Sequence, residues 1–284
     1  MKTILIAYDG STCADAMLGD LTRAGLPEEV QATVLSVAEV WLPAGAEDPL
    51  SEAFARLPAV LRKTREAAWT VVETQSRRLA ERAAERLSGL FPKWRLQPMA
   101  VGDSPAWAIV KTAAAQQADL VIVGSRGRAT MERVFLGSVS HKVASQAPCS
   151  VRIARPSPQR GPLRVVLALD GSRDSEMTVR AVLARTWPPG TLFKIVTVID
   201  AQLKAKAAYP TLWSQDWTQQ HDAEAGESVC RAVEYFAARL QNAGLATETH
   251  ILEGDPKHLL LKHAVLWAAD CIFVGAHSLA YQER

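Results

Sequence analysis

The sequence predicts an α/β fold with two domains of the same kind, each built on a parallel sheet that helices cover on both faces. Short, continuous runs of Val, Ile and Leu alternate with longer helical stretches, which is typical of buried parallel strands and their crossover helices. The same series of segments also occurs twice within 284 residues, a length that suits two domains.

The repeat consists of four segments that return in the same order. Their first and second copies are Ile4–Ser11 and Val165–Ser172, Val34–Glu39 and Ile195–Asp200, Val101–Asp103 and Glu253–Asp255, and Ala118–Gly124 and Ala269–Gly275. Repetition in one order indicates two copies of one domain, which we expect over residues 1–155 and 163–284. Between them, the linker 155–162 contains three prolines and a glycine, which disfavour both a helix and a central strand.

The individual elements follow from local composition. Apolar runs predict strands at 3–8, 32–38, 95–101, 119–123 and 149–154, then at 164–169, 193–199, 247–252 and 270–274. Helices are predicted in the first copy at 11–23, about 50–90, 104–117 and 138–147. Ser11 suits the N-cap of the first helix, and Pro105 suits the first turn of the third. Residues 202–239 mix aromatic and charged side chains, and we interpret them as a helical insertion over one face of the second domain.

A glycine-rich loop, Gly124–Ser138, directly follows the fourth predicted strand. Gly124, Gly127 and Gly137 let backbone amides approach a small anion closely, because glycine has no Cβ. Ser138 stands where a helix can begin, and the free N–H groups of a helix start favour phosphate. No Gly-Lys-Ser/Thr follows, so the loop is not a Walker P-loop. The alternative is a long β–α connection that holds no ligand.

Asp9 is the strongest candidate for the base and ribose half of such a site. Ligands of these sheets lie beyond the carboxyl ends of the strands, where the strand order reverses. Asp9 ends the first strand and Gly124 ends the fourth, so both face one crevice if these strands are neighbours. A carboxylate there must find donors, which ribose hydroxyls or an adenine amino group can supply. The alternative is an Asx turn or a cap of the helix near Ser11.

Together these residues resemble the universal stress protein family in its tandem form, with two domains per chain. The resemblance is carried by Ala7–Ser11 (AYDGS), Val101–Pro105 (VGDSP), the loop Gly124-x2-Gly127-x9-Gly137-Ser138 and the strand-like segment Ala147–Ile153. It implies a doubly wound five-stranded sheet of order 3-2-1-4-5 that binds ATP without a Walker motif. Many members act as nucleotide-dependent stress or dormancy regulators rather than as rapid enzymes.

Carried over residue by residue, the resemblance implies a nucleotide site at Ala7, Asp9, Gly10, Val37, Gly102, Gly124, Ser125, Arg126, Gly127, Arg128, Gly137, Ser138 and Val139. Val37 would offer backbone groups to adenine, or it is plain core. Arg126 and Arg128 could neutralise phosphates, although loop arginines are often only solvated. The expected cofactor is ATP, and a Mg2+ ion, if present, would arrive with the triphosphate. We expect no catalytic residue and no dedicated metal ligand.

The second copy departs from this pattern. Gly275 is present, but Ser278 stands at the position of Gly127, and Arg284 ends the sequence before counterparts of Gly137 and of the fifth strand. We therefore expect a second domain without its last loop, helix and strand, and with a degenerate nucleotide site. Asp170 and Val198 could still hold a base or a ribose.

Composition excludes several functions. The net charge is only +2, and basic residues are interspersed with acidic ones, so the composition gives no sign of a basic surface for nucleic acid. The start of the chain runs straight into a strand, and no run reaches the length of a membrane span, so we expect a cytoplasmic protein. The four cysteines lack CxxC spacing, which argues against a zinc site or a disulfide framework.

Three functions remain open, and one assembly is expected. The chain could be an ATP-binding regulator, a slow ATP hydrolase, or an interaction module with vestigial binding. Against the hydrolase, Glu132 is the one carboxylate within the loop and has no partner at a fixed spacing. The predicted strand 149–154 is a sheet edge with no counterpart in the second copy, and exposed edges invite pairing. We therefore expect a homodimer through residues 149–154 of two chains.

Overall fold

The computed structural model describes residues 1–39, 59–125, 136–155, 161–199 and 215–276. The chain divides into two compact units, Met1–Pro156 and Ser157–Arg284, which are considered separately.

The first unit is a five-stranded, all-parallel sheet with helices on both faces. In chain order its elements are β1 (Lys2–Ala7), α1 (Thr12–Asp20), a 3-10 turn (Leu21–Arg23), β2 (Val30–Ala38), α2 (Ala59–Leu90), β3 (Arg95–Gly102), α3 (Pro105–Ala115), β4 (Leu120–Gly124), α4 (Ser138–Gln146) and β5 (Ser150–Ala154). The strand order is β3-β2-β1-β4-β5, which confirms the order that the resemblance implied.

Side-chain alternation along the strands divides the core of this unit in two. Ile4 and Ile6 of β1 pack on one face with buried residues of α1 and α2. Leu5, between them, packs on the other face with Ile109 of α3 and Val143 of α4. Both faces of the sheet are therefore buried, which explains why the strands have continuous apolar sequences.

Local signals start two of the helices where the sequence predicted them. The Ser11 hydroxyl accepts a hydrogen bond from Ala14 N at 3.1 Å and so caps α1. Pro105 occupies the first turn of α3, where its missing N–H costs nothing.

The second unit repeats this plan with four parallel strands in the described residues. Its elements are β6 (Arg164–Ala168), α5 (Arg173–Leu183), β7 (Leu192–Ile199), α6 (Gln215–Asn242), β8 (Ala246–Glu253), α7 (Pro256–Leu266) and β9 (Cys271–Val274). The sheet order is β8-β7-β6-β9, the order of the first sheet without its fifth strand.

The helix α6 corrects one interpretation. It is the crossover between β7 and β8, in the same place as α2 between β2 and β3, and is therefore not an insertion. Val233, Phe236 and Leu240 of α6 join the buried core on one face of the sheet. As expected, α6 covers one face of the second sheet, but it is part of the repeated domain and not an addition to it.

Among the helices that the structure describes, none combines the length and the apolar character needed to cross a membrane.

Candidate functional site

The strand order of the first unit reverses between β1 and β4. Strand β1 pairs with β2 on one side and with β4 on the other, with Ile4 opposite Leu120 and Ile6 opposite Ile122. Asp9 and Gly124 therefore follow the carboxyl ends of neighbouring strands. The sequence places Asp9 and Gly124 at one crevice if β1 and β4 are neighbours, and the two strands are neighbours. Both residues lie at the switch point where ligands of such sheets bind.

The turn from β1 to α1 gives Asp9 a structural role as well. Asp9 Oδ1 accepts a hydrogen bond from Ser11 N at 2.9 Å, which closes an Asx turn. Gly10 has a φ of 74°, a left-handed conformation that favours glycine. The Asp9 carboxylate is half-buried, and the described residues give it no other hydrogen bond. Its second oxygen has no partner within the described residues and is open there to a donor from a ligand.

The two ends of the glycine-rich loop meet at the carboxyl end of β4. Gly137 N donates to Ser125 O at 2.9 Å, and Ser125 N donates to Ala154 O of β5 at 2.8 Å. The Ser140 hydroxyl, from the first turn of α4, donates to Gly124 O at 2.6 Å. The first and the third of these bonds hold the start of α4 against the end of β4, and the second joins the residue after β4 to β5. Ser140 is a positioning residue that the sequence reasoning missed, because no spacing marks it out from other helical serines.

The start of α4 carries amides without a side-chain cap. Its N-cap is Gly137, which has no side chain, and none of the described residues supplies a capping hydrogen bond. The first-turn amides of Ser138 and Val139 are thus available to an anion, as they are at a typical phosphate-binding helix start. Beside them, Ser125 is fully buried, and its hydroxyl has no hydrogen-bond partner among the described residues.

The other predicted site residues lie at the ends of β1, β2 and β3 or outside the described residues. Ala7 is the last residue of β1 and pairs with Leu35. Val37, near the end of β2, pairs with Val101, and Gly102 ends β3. Val37 packs partly buried against the apolar core, so part of its role is structural. Arg126, Gly127 and Arg128 lie outside the described residues.

A polar network that the sequence did not reveal ties Tyr8 to two helices. The Tyr8 hydroxyl donates to Asp15 Oδ1 of α1 at 2.7 Å, and Arg86 Nη1 of α2 lies 3.1 Å from the same oxygen. Burial, followed by the hydrogen bond to Asp15, raises the pKa of Tyr8 to about 12. The network therefore fixes the start of α1, next to Asp9, with a phenol that stays neutral.

The equivalent aspartate of the second unit has more hydrogen bonds within the chain than Asp9 has. Asp170 Oδ1 accepts hydrogen bonds from Ser172 N at 3.0 Å and from the Ser175 hydroxyl at 2.7 Å. Burial would raise the pKa of Asp170, but the hydrogen bonds from Ser172 and Ser175 outweigh it and hold the pKa below its ordinary value. At the end of β9, a Cβ on Gly275 would lie 2.7 Å from Asp174 Cβ.

Two open depressions lie elsewhere on the described surface. One of about 640 Å3 is lined by α2 side chains, including Arg78 and Arg82, and one of about 320 Å3 is lined by α7 side chains, including Leu261 and Val265. Each is formed by a single helix and is open to solvent, so neither encloses a ligand. We therefore place the candidate site at the switch point, where polar groups from several elements converge.

Comparison with known proteins identifies the family. A profile described as the universal stress protein family matches residues 1–155 and 163–284, which is nearly the whole chain. The chain belongs to the universal stress protein family. A universal stress protein of Thermus aquaticus is 32% identical over 156 residues, which are 54% of this chain and 98% of that protein. One of Mycolicibacterium smegmatis is 29% identical over 157 residues, 54% of this chain and 45% of the relative.

Solved structures agree on the fold. A universal stress protein from Archaeoglobus fulgidus aligns with 95% of this chain and 85% of its own length, with a TM-score of 0.59 and 18% identity. At that identity the likeness shows the fold alone. A universal stress protein solved in complex with cAMP aligns with 55% of this chain and 98% of its own, with a TM-score of 0.34 and 21% identity.

Proposed function

We propose that this universal stress protein binds one adenine nucleotide, preferably ATP, in its first unit and acts as a nucleotide-dependent regulator of a stress response. The observation that carries the proposal is the uncapped start of α4, which two hydrogen bonds hold against the end of β4 at the switch point. Fold likeness alone would not support a ligand; the local groups fit one.

The converging groups suit the two halves of a nucleotide. The first-turn amides of Ser138 and Val139 suit the phosphates, because they present donors and no acidic side chain. Asp9, at the neighbouring strand end, suits a ribose hydroxyl or the adenine amino group. The buried Ser125 hydroxyl, without a partner among the described residues, can complete its hydrogen bonding with a phosphate oxygen. Arg126 and Arg128 would add charge.

We propose that hydrolysis is slow or absent. The described residues contain no group of three or more His, Cys, Asp or Glu side chains that could hold a metal ion. A Mg2+ ion would therefore arrive with the triphosphate and keep several waters. Among the described residues, the Asp9 carboxylate accepts a hydrogen bond from Ser11 N and has no side-chain partner that would make it a general base. A turnover number near the enzyme median of ~10 per second would instead establish the ATP hydrolase.

Calorimetric titration of the full chain with ATP tests the proposal. Gly137 has a φ of −62°, which any residue adopts, so Gly137→Val leaves the backbone unstrained and places a branched side chain at the phosphate position. We expect Gly137→Val to abolish measurable ATP binding and the smaller Gly137→Ala to weaken it less. Titrations with ADP, AMP, GTP and cAMP, which a family member binds, establish the ligand preference.

The outcomes separate the alternatives. Saturable ATP binding that Gly137→Val removes supports the regulator. Unchanged affinity in a folded Gly137→Val variant contradicts the placement of the phosphates. A wild-type chain that binds none of the nucleotides contradicts the proposal and favours an interaction module with vestigial binding. Because many family members are regulators, the partner that senses the nucleotide is the next question.

We also propose that two chains associate through β5, and that the protein acts in the cytoplasm. Strand β5 is the edge of the first sheet, and its second side is unpaired within the described residues. The row of open N–H and C=O groups on an edge favours pairing with another strand. A twofold axis next to β5 would pair the same strand of two chains.

A further inference from the structure

Helix α7 of the second unit is apolar on two opposite sides. Leu260 and Ala264 face inwards and pack with the core on one face of the sheet. Leu261, Val265 and Leu266 face outwards and are 60%, 77% and 73% exposed. A helix that is apolar all round is typical of a buried element, and α7 lacks the length and the apolar character to cross a membrane. The composition of α7 therefore indicates that a further element covers its outward side.

The first unit shows that the large outward side chains are a feature of α7 itself. Helix α3 occupies the same place in the repeat and, like α7, has 11 residues and begins with a proline. Ala114 and Ala115 of α3 stand at the positions of Val265 and Leu266. Both alanines are exposed, although α3 packs against α4. A helix equivalent to α4 would thus not cover Val265 and Leu266.

Basic side chains accompany this apolar surface. His258 and Lys262 line the same open depression of about 320 Å3 as Leu261, Val265 and Leu266. Within its bounds α7 contains two lysines, two histidines and no acidic residue. Lys262 is exposed and is in no ion pair among the described residues. The outward face therefore combines apolar contact area with positive charge, which complements an acidic partner.

A partner helix fits this face better than a lipid bilayer does. The outward residues follow one another at spacings of three and four, which is the ridge that a second helix packs against. Lys262 lies on that ridge between Leu261 and Val265, so insertion into lipid would bury its charge. Helices that lie on membranes instead keep their basic residues on the opposite, polar face. An acidic side chain of a partner helix can pair with Lys262 within the interface.

We propose that the outward face of α7 is a docking surface for an acidic amphipathic helix of a partner protein. The apolar side of that helix would cover Leu261, Val265 and Leu266, and its acidic residues would pair with Lys262. A contact with one helix is smaller than a standard interface, so the binding is weak and reversible. The inference goes beyond the proposed function, because it assigns partner binding to the second unit and does not depend on a nucleotide in the first.

Fluorescence anisotropy of a labelled peptide with the full chain tests the inference. The probe is a peptide of about 18 residues, long enough to be helical, with leucine at every third or fourth position and glutamate at most others. Val265→Ala with Leu266→Ala gives α7 the outward alanines of α3 and should weaken binding by about tenfold or more. Both residues are exposed, so the variant should fold, which circular dichroism checks. Lys262→Gln should weaken binding less and reduce its salt dependence.

Two controls separate this surface from unspecific apolar contact. Met177→Ala removes an exposed apolar side chain of α5 and should leave the binding unchanged. The same peptide with lysine in place of glutamate should bind about tenfold more weakly or less. Equal binding of the two peptides would overturn the inference. So would a folded Val265→Ala, Leu266→Ala variant that binds like the wild type, or a wild type that does not bind the glutamate peptide.

Two further measurements identify other occupants of this face. Self-association of the wild type in light scattering, if Val265→Ala with Leu266→Ala removes it, would make a second copy of the chain the occupant. Co-sedimentation with phosphatidylglycerol vesicles, if the same variant loses it, would make the occupant a lipid surface. Either result would overturn the inference. None of these outcomes concerns ATP binding, so the proposed function stands or fails separately.

Discussion

Asp9 has two oxygens with two different tasks. Oδ1 closes the Asx turn with Ser11 N, and the other oxygen is open among the described residues. The turn alone would be served equally well by asparagine, which offers the same acceptor and tolerates such turns. The difference between an aspartate and an asparagine at position 9 is therefore the charge and the second acceptor, which a turn does not need.

We expect Asp9→Asn to lower ATP affinity by about tenfold, because hydrogen bonds to charged groups contribute roughly 1.5–3 kcal/mol, with little change in thermal stability. Calorimetry and a thermal melt measure the two effects separately. Asp170→Asn, at the equivalent position of the second unit, is the control and should leave the affinity as it is. An Asp9→Asn variant with wild-type affinity would assign Asp9 to the turn alone.

Tyr8 provides a prediction that depends on pH. Its folded pKa of about 12 lies above the unfolded value near 10, so the folded state favours the neutral phenol. This contribution to stability is fully present below pH ~10 and is lost as the pH rises through about 12. Because Tyr8 is a weak acid whose pKa is raised, the loss occurs at the alkaline end.

We expect Tyr8→Phe to cost about 1–2 kcal/mol in the free energy of unfolding at neutral pH, since it leaves Asp15 without its phenol donor. The difference between wild type and variant should shrink as the pH rises from 10 towards 12. Denaturant titrations at several pH values measure it, and Tyr235→Phe, whose ring is exposed, is the control. A difference that stays constant up to pH ~12 would contradict the assignment.

At the scale of elements, Gly275 is in close contact with α5, and this contact explains why the residue after β9 is a glycine. Gly275 follows β9 directly, and its missing Cβ leaves room for the backbone of α5 at Asp174. Gly124 ends β4 at the equivalent place, where the Ser140 hydroxyl also reaches its carbonyl. Gly275 thus permits close packing at the end of β9 in addition to any approach of a ligand.

We expect Gly275→Ala to destabilise the second unit by roughly 1–3 kcal/mol, because the new methyl group would overlap Asp174. Gly19→Ala, in α1, has no heavy atom within 4 Å of the new Cβ and should be neutral or stabilising by roughly 0.5–1 kcal/mol. Hydrogen exchange on peptides of each unit resolves the two effects. Faster exchange in β6 and α5 for Gly275→Ala is expected; unchanged exchange there would contradict the contact.

Local sequence signals predicted the strand boundaries and two helix starts, but not the contacts between distant segments. Strand boundaries agree within two residues, because buried parallel strands need continuous apolar runs, and Ser11 and Pro105 begin their helices as predicted. The helix α6 was misinterpreted because residues 202–239 mix aromatic and charged side chains, so that composition did not distinguish a crossover helix from an insertion. Contacts such as Tyr8 with Asp15 and Arg86, or Ser140 with Gly124, depend on packing between distant segments, so no local spacing could predict them.

For the whole molecule, the edge strand β5 makes the proposed dimer testable. Ala154 O accepts from Ser125 N, so residues 150, 152 and 154 turn their backbone groups towards β4. Successive residues of a strand alternate, so the amides of Val151 and Ile153 point outwards, where a second chain would pair. Proline at an outward position removes a donor from the dimer ladder but none from the sheet.

We expect a dimer of the wild type at tens of micromolar by light scattering, and a shift towards monomer for Val151→Pro. Val151→Ala removes the side chain but keeps the amide, so it should remain dimeric. A monomeric wild type under these conditions would contradict pairing through β5. So would a Val151→Pro variant that stays folded and fully dimeric.

The central claim is that one chain holds one adenine nucleotide, in its first unit. Native mass spectrometry of the full chain with excess ATP and Mg2+ counts bound nucleotides directly. We expect a mass increase of one nucleotide per chain, which Gly137→Val removes. Two nucleotides per chain, or a bound nucleotide that persists in Gly137→Val, would contradict it.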